Sequence, residues 1–347
     1  MGQITTIALD VMSGDCSPCS RIQAAQDALA RHPLLHLVLA GDSSFIREHL
    51  PRELSDRVTV VHAAQTVAMD ERPSRALRYK QDSSMWLAIE QVALGTSQAC
   101  VSAGNTGALM AMGCHLLKTF SGIDRPALVC RVPSSSGGTL LLDLGANVDC
   151  SVEQLLQFAV LGSLLKSELY NVEKPRIGLL NVGAEETKGS ETVRLAQQRI
   201  EQHIEQHEGL NYIGFVEGDD LYSGRVDVVV CDGFAGNVAL KASEAAVRLV
   251  ARKLMAGVGL KRWQRYLLRV LRPLFQSMIA GLDPDRINGA MLLGLQGLVI
   301  KSHGDADARL FGFAIDQAVQ AVEHNAICRI NERLDVLLSP GSGPNHQ

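Results

Sequence analysis

The 347-residue chain is expected to fold as an α/β protein, a largely parallel sheet sandwiched between helices in three layers. Two observations predict this. Short β-rich runs recur with helical patterns between them, and 46% of residues are apolar while only 4% are aromatic, so the core is built mainly of Ala, Val, Leu and Ile. The first run, residues 4–9, meets Asp10 before an apolar stretch of useful length and follows no basic segment. It reads as a buried strand and not as a secretion signal, which places the protein in the cytosol. Further strands are expected at residues 37–39, 58–61, 99–102, 176–182, 212–216 and 226–231. Between them, Asp82-Ser83-Ser84 opens a helix carrying Met85, Leu87, Ile89 and Val92, and a second helix over residues 191–204 presents Val193, Leu195 and Ile200. Residues 127–132 and 138–143 break the rhythm. Only Ser134-Ser135-Ser136-Gly137 separates them, too little chain for a helical crossover, so they are expected to pair as an antiparallel hairpin that covers a sheet edge or reaches a second subunit. Residues 287–300 are apolar but too short to span a bilayer and read as a buried strand or helix. Residues 1–338 are expected to form one α/β unit, and the Pro/Gly/Ser-rich residues 339–347 a disordered tail.

Charge narrows the function. Thirty-three basic against 37 acidic residues give a net charge of −4, a poor sign for general nucleic-acid binding. The eight cysteines are scattered and read as reduced core or loop residues. Cys16-Ser-Pro-Cys19 has metal or redox spacing, but no second such pair and no suitably spaced histidine accompany it, so no metal or cofactor is expected.

The most informative feature is a set of strand ends that run into Gly/Asn/Asp loops: DVMSGD at 10–15, SAGNTG at 102–107, DLGAN at 143–147, NVGAEETKG at 181–189 and DGFAGN at 232–237. In open α/β sheets the carboxyl ends of strands border the ligand crevice, where glycine lets backbone approach a ligand and helix N-termini offer free N–H groups to an anion. The candidate phosphate- or substrate-binding residues are therefore Asp10, Gly14, Gly104, Asn105, Thr106, Gly107, Asn147, Asn181, Gly183 and Gly233, with Lys241 one turn into the following helix. Lys188, Asp232, Asn237 and, in KSHG, His303 are the candidate catalytic residues, and Arg131 and Lys301 are further cations at strand ends. Residues 183–190 transpose the lysine and second glycine of a P-loop, no G-x-G-x-x-G follows a strand, and no G-x-S-x-G elbow exists. Nucleotide binding and covalent hydrolysis are thereby set aside.

Residues 245–282 contain eight basic and no acidic side chains before Asp283. Over the segment 257–280, Lys261, Arg265, Arg269 and Arg272 share one helical face, while Trp263, Tyr266, Leu267, Val270, Leu271 and Leu274 share the other. Such a basic amphipathic helix suits an anionic membrane surface, an acidic partner protein or a subunit interface.

Taken in order, SAGNTGALMA, LLDLGANVDC, GLLNVGAEETKG, DVVVCDGFAGNVALK and GLVIKSHG resemble the bacterial acyl-(acyl carrier protein):phosphate acyltransferases over about residues 4–322. Ser13 and Ala290 stand where the family pattern has glycine. The resemblance implies a fold like that of phosphate acetyltransferases and isopropylmalate dehydrogenases, with residues 1–338 as one catalytic unit of two lobes around a cleft, a homodimer, and a reversible reaction in which inorganic phosphate attacks the acyl thioester of acyl carrier protein. It also implies peripheral association with the inner face of the membrane, where the acyl phosphate passes to a membrane-bound glycerol-phosphate acyltransferase, with Lys261, Trp263, Arg265, Arg269 and Arg272 as the contact. Phosphate is its own nucleophile, so such a site needs donors for a dianion and an oxyanion but no catalytic serine. Asp232 or His303 is the candidate proton donor to the leaving thiolate. Two alternatives stay open: a phosphotransacylase that uses acyl-coenzyme A, and a non-catalytic membrane scaffold.

Overall fold

The computed structural model describes residues 4–207, 209–256 and 289–338. One mixed sheet of eleven strands runs through the described chain in the order β3-β2-β1-β4-β11-β10-β5-β6-β9-β7-β8. In chain order the strands are β1 (Thr5–Asp10), β2 (Leu35–Gly41), β3 (Val58–His62), β4 (Ala99–Ser102), β5 (Ala127–Val132), β6 (Thr139–Leu142), β7 (Arg176–Leu180), β8 (Asn211–Val216), β9 (Val228–Val230), β10 (Ala290–Leu293) and β11 (Leu298–Lys301). The helices are α1 (Pro18–Arg31), α2 (Ser43–His49), α3 (Pro73–Tyr79), α4 (Ser84–Ala93), α5 (Thr106–Leu117), α6 (Val152–Tyr170), α7 (Glu191–Gln206), α8 (Asp220–Ser223), α9 (Gly233–Ala256), α10 (Ala308–Glu323) and α11 (Ala326–Leu338).

Strand alternation sorts the core into two clusters, one on each face. Ile7, Leu9, Leu37, Val101, Leu142, Val230 and Ile300 point to a face covered by α1, α6, α7, α10 and α11, while Ala8, Val38, Cys100, Cys130, Leu141, Val229 and Val299 point to one covered by α3, α4, α5 and α9. This is the three-layer α/β/α arrangement. Helix α6 is buried along nearly its whole length, Gln157, Ser163, Lys166 and Glu168 included, and a capping box between Ser151 and Gln154 fixes its start. Each fully buried leucine of α6, such as Leu161, contributes about 2–3 kcal/mol.

Two parallel half-sheets make up the whole. Strands β3, β2, β1, β4 and β11 run one way, and β6, β9, β7 and β8 run the other. Between them β10 pairs antiparallel with both β11 and β5, and β5 pairs antiparallel with β6. The hairpin expected from residues 127–143 is present, but it does not cover an edge. It lies in the interior of the sheet and reverses the strand direction there, because Ser134–Gly137 supply too few residues for a crossover and β10 takes the free side of β5. The described part of the apolar stretch 287–300 is β10 and β11, joined by a turn in which Gly294 has φ +112°. The segment 257–280, with Lys261, Trp263, Arg265, Arg269 and Arg272, and the tail 339–347 lie outside the described residues.

The registers have a consequence for function. One transverse row passes through Leu9, Val101, Ile300, Met291, Val129, Leu142, Val230 and Leu179. Every parallel strand in that row is at its last or next-to-last residue. The half-sheets run in opposite directions, yet they are staggered so that both sets of carboxyl ends meet along the β10–β5 seam.

Candidate active site

A cavity of about 330 Å³ opens at this meeting line, on the face covered by α5 and α9. Its wall takes Thr106 from the start of α5, Gly145 from the loop after β6, Asn237, Leu240, Lys241 and Glu244 from α9, Lys301 from the end of β11, and Ser302, His303 and Gly304 from the loop that follows. Met69 closes one side, and Leu128, Cys130 and Ala290 of the seam form the floor. Segments that follow β4, β6, β9 and β11, from two opposed half-sheets, thus share one space.

The loops are built by local chemistry. Asp143 caps the seam: its buried carboxylate accepts from the backbone N–H groups of Leu128 (2.8 Å), Ala146 (3.1 Å) and Asn147 (2.6 Å), and from the Asn147 side-chain amide (3.0 Å). That amide also donates to the Pro126 carbonyl, so Asn147 holds the loop and does not line the cavity. The DLGAN and DGFAGN loops lie back to back. A Cβ on Gly236 would stand 1.9 Å from the Asp143 carbonyl oxygen, and no side chain fits there. Asp232 accepts from the backbone N–H of Ala235 at 2.7 Å, fixing the first turn of α9. From there Asn237, Lys241 and Glu244 follow at helical spacing and face the cavity together.

On the other side, buried Asp10 accepts from Ser102 Oγ at 2.7 Å, Ser102 Oγ accepts from Gly104 N–H at 3.1 Å, and Ser13 lies 3.3 Å from the same hydroxyl. Burial pushes the Asp10 carboxyl up, against the pull of these hydroxyls and of Arg21. Gly14, at φ +94°, leaves no room for a side chain, because a Cβ there would meet the Arg21 guanidinium at 2.6 Å and the Gly304 carbonyl at 2.8 Å. Asn105 caps α5 by accepting from Ala108 N–H, and its amide donates to the Met69 and Glu71 carbonyls. Its place is to hold the 69–71 loop over the cavity. A Cβ on Gly107 would meet Pro73 of α3 at 2.7 Å, so Gly107 lets α3 pack against α5. The first two loops therefore frame the site more than they line it.

Four charged or titratable groups converge in the cavity wall. Lys301 is only 8% exposed. Its ammonium donates to the carbonyls of Ser302 and, at 3.5 Å, of Ala103, and burial, reinforced by nearby Arg21, brings its amine down to about 8. Glu244 is buried as well, 3.3 Å from His303 Nε2 and 3.4 Å from the Arg248 guanidinium. Burial alone raises its carboxyl, but those two partners outweigh it and hold it below the usual range. Lys241 is exposed at the rim.

The structure separates some residues that share a motif pattern. Asn181, Gly183 and Lys188 sit at the end of β7, on the same row but two strands beyond β6, and outside the cavity lining. Lys188 pairs with Glu185 at 2.7 Å, which raises its amine, and Asn181 donates to the Lys188 carbonyl. Arg131 turns toward Gly137 and the Tyr170 ring on the opposite face. Glu244 and Met69 were not legible as site residues. Glu244 lies two helical turns beyond Asn237, a periodicity that carries the signal.

The fold is similar to that of solved phosphotransacylases. Solved structures with this fold include a phosphotransacetylase from Streptococcus pyogenes (TM-score 0.62, 17% identity, 93% of this chain and 95% of that one) and a branched-chain phosphotransacylase from Enterococcus faecalis (TM-score 0.59, 15% identity, 92% and 99%). The family model described as "Fatty acid synthesis protein" matches residues 5–329. The phosphate acyltransferase of Pseudomonas savastanoi pv. phaseolicola is 49% identical over 96% of this chain and 98% of its own, and that of Halorhodospira halophila is 47% identical over 97% and 98%. The chain belongs to this family, the bacterial phosphate acyltransferases, and is an acyltransferase.

Proposed function

We propose that the cavity transfers a long-chain acyl group from the thioester of acyl carrier protein to inorganic phosphate, giving an acyl phosphate for phospholipid synthesis. The observation that carries this reading is the convergence of Lys241, Lys301, His303 and Asn237 on one cavity whose floor is apolar. Phosphate docks against the lysines and the amide donors, and one of its oxygens attacks the thioester carbonyl. Asn237 and the N–H groups of the neighbouring loops face the charge that develops on the carbonyl oxygen. Because the nucleophile arrives with the substrate, the chain's task is to position and to stabilise charge. Lys188 and Asp232 belong to this reading as residues of the flanking loops, with Lys188 able to serve a substrate that extends past the cavity mouth. The carrier, the membrane-bound glycerol-phosphate acyltransferase, the homodimer and the peripheral membrane location are part of the same proposal and rest on the family resemblance. Among the described residues no helix is long and apolar enough to cross a membrane.

The test is phosphate-dependent release of free thiol from palmitoyl-acyl carrier protein, run beside palmitoyl-coenzyme A, with the acyl phosphate trapped by hydroxylamine. Release that needs phosphate and the protein carrier supports the proposal. Release from coenzyme A alone replaces the carrier, and release from neither overturns the reaction.

A further inference from the structure

We infer that Glu244 is a positioning residue that holds His303 as a proton relay between the attacking phosphate and the leaving sulfur; this rests on the acyl-transfer reading above. Three features of the cavity converge on it. Glu244 projects from α9 into the same wall as His303, although the two residues come from opposite half-sheets and are 59 positions apart. Its Oε1 stands 3.3 Å from His303 Nε2. Its Oε2 lies 3.4 Å from the guanidinium of Arg248, a cation that favours the ionised form of the buried carboxylate. A carboxylate removed from water and aimed at a ring nitrogen fixes which nitrogen carries the proton, and it stabilises the ring when a second proton arrives. Lys241 and Lys301 share the cavity, so the anion to be activated and the imidazole sit in one chamber.

The proton balance of the reaction gives this pair its task. When hydrogen phosphate attacks a thioester, the new C–O bond forms and the C–S bond breaks with its electron pair going to sulfur. The products are acyl phosphate and a thiol, so the proton of hydrogen phosphate ends on the thiol. With Nε2–H directed at Glu244, His303 Nδ1 takes that proton as phosphate adds and returns it to sulfur as the tetrahedral adduct collapses. The imidazole is unchanged at the end of the turnover. Glu244 touches neither reactant and acts through the ring.

The experiment compares wild type, Glu244→Gln, His303→Gln and the double variant, with palmitoyl-acyl carrier protein as donor and inorganic phosphate as acceptor. Each single substitution is expected to lower kcat by about 10- to 100-fold with little change in the KM for phosphate. The double variant is expected to fall no more than about threefold below His303→Gln, because the two residues act as one unit. The same proteins are then given an octanoyl thioester of an aryl thiol, whose leaving group departs without a proton, and the loss in both single variants should be clearly smaller there, because the ring then only takes the proton of phosphate and returns none to sulfur. Additive losses in the double variant overturn the inference, as does an undiminished loss on the aryl thioester. Should Glu244→Gln not fold, Glu244→Asp keeps the charge while drawing it back from the ring, and it must show the same dependence on leaving group. A wild type that releases no thiol with phosphate sinks the acyl-transfer reading instead, before any variant is compared.

Discussion

Lys301 costs the fold more stability than its contacts return, and that makes it a sharp test of the site. Its amine lies at the end of β11 with 8% of its surface exposed, and burial brings it from the ordinary 10.5 down to about 8. A depression of that size corresponds to about 3 kcal/mol of folding free energy. The sign follows from proton counts: between pH 8 and 10.5 the unfolded chain holds a proton that the folded chain has lost, so stability rises with pH across that window, and below pH 8 the whole penalty is present. Lys301→Met keeps the length and removes the charge. It also removes the bonds to the Ser302 and Ala103 carbonyls, which offsets about 1 kcal/mol of the gain. The variant is therefore expected to be more stable than wild type by about 2 kcal/mol at pH 7, and the difference should move by about 2.5 kcal/mol toward wild type by pH 10, where the two proteins are about equally stable or wild type is slightly the more stable. Urea melts of both proteins at the two pH values measure this directly. In the same variant, the phosphate concentration for half-maximal thiol release should rise at least about tenfold if the amine meets phosphate as proposed. A gap that stays constant between pH 7 and 10, or widens, refutes the argument that burial of the charged amine is what the fold opposes.

Two other substitutions probe the frame and the mouth of the site. Gly236→Ala places a methyl 1.9 Å from the Asp143 carbonyl oxygen, a backbone contact that cannot yield by rotamer change, so thermal melting should show a loss of more than about 3 kcal/mol; a melting temperature within a degree or two of wild type would mean that the two loops slide apart cheaply. Lys188→Ala leaves the cavity lining and the core untouched, so its stability should match wild type while, on the proposed reading in which substrate extends along the row of carboxyl ends to β7, turnover on palmitoyl-acyl carrier protein falls by tens-fold. Unchanged turnover would confine the site to the cavity itself.

Local pattern carried much of the architecture. Alternating β-rich and helical stretches gave the strands near their observed positions, and Ser83 and Ser190 cap α4 and α7 through their side chains, as helix-start chemistry predicts. Tertiary competition explains what was missed. The hairpin at residues 127–142 was legible as a hairpin, but a hairpin's own sequence does not reveal which strand takes its free side; β10, arriving about 160 residues later in the chain, makes it interior. The same holds at the site. Gly-rich strand ends announced a polar crevice, yet Asn105, Asn147 and Asp232 are committed to loop and helix caps. Asparagine and aspartate serve equally well as caps and as ligand donors, and only the partner across space tells the two uses apart. Glu244 shows the converse, an acidic residue on a helix that reads as solvated until His303 meets it.

The reversal of strand direction is what makes a single site possible from two parallel half-sheets. A continuous parallel sheet presents all its carboxyl ends along one edge, where loops from distant strands lie far apart. Here β5 and β10 stand antiparallel to their neighbours and let β6, β9 and β7 run down toward the level at which β1, β4 and β11 finish. The carboxyl ends therefore face each other across the seam. The amide-rich loops after β6 and β9 come from one side and the KSHG loop from the other, and α9 spans the gap with Asn237, Lys241 and Glu244 on one face. Such a chamber suits a reaction with two reactants of unlike character. In the proposed reaction a small dianion needs cations and N–H donors, which Lys241, Lys301 and the loops offer, whereas an acyl thioester needs apolar surface, which Leu128, Leu144 and Leu240 offer. On that reading, donors on opposed half-sheets would hold the anion and the carbonyl from separate directions, and the reacting atoms would meet where the two rows of strand ends converge.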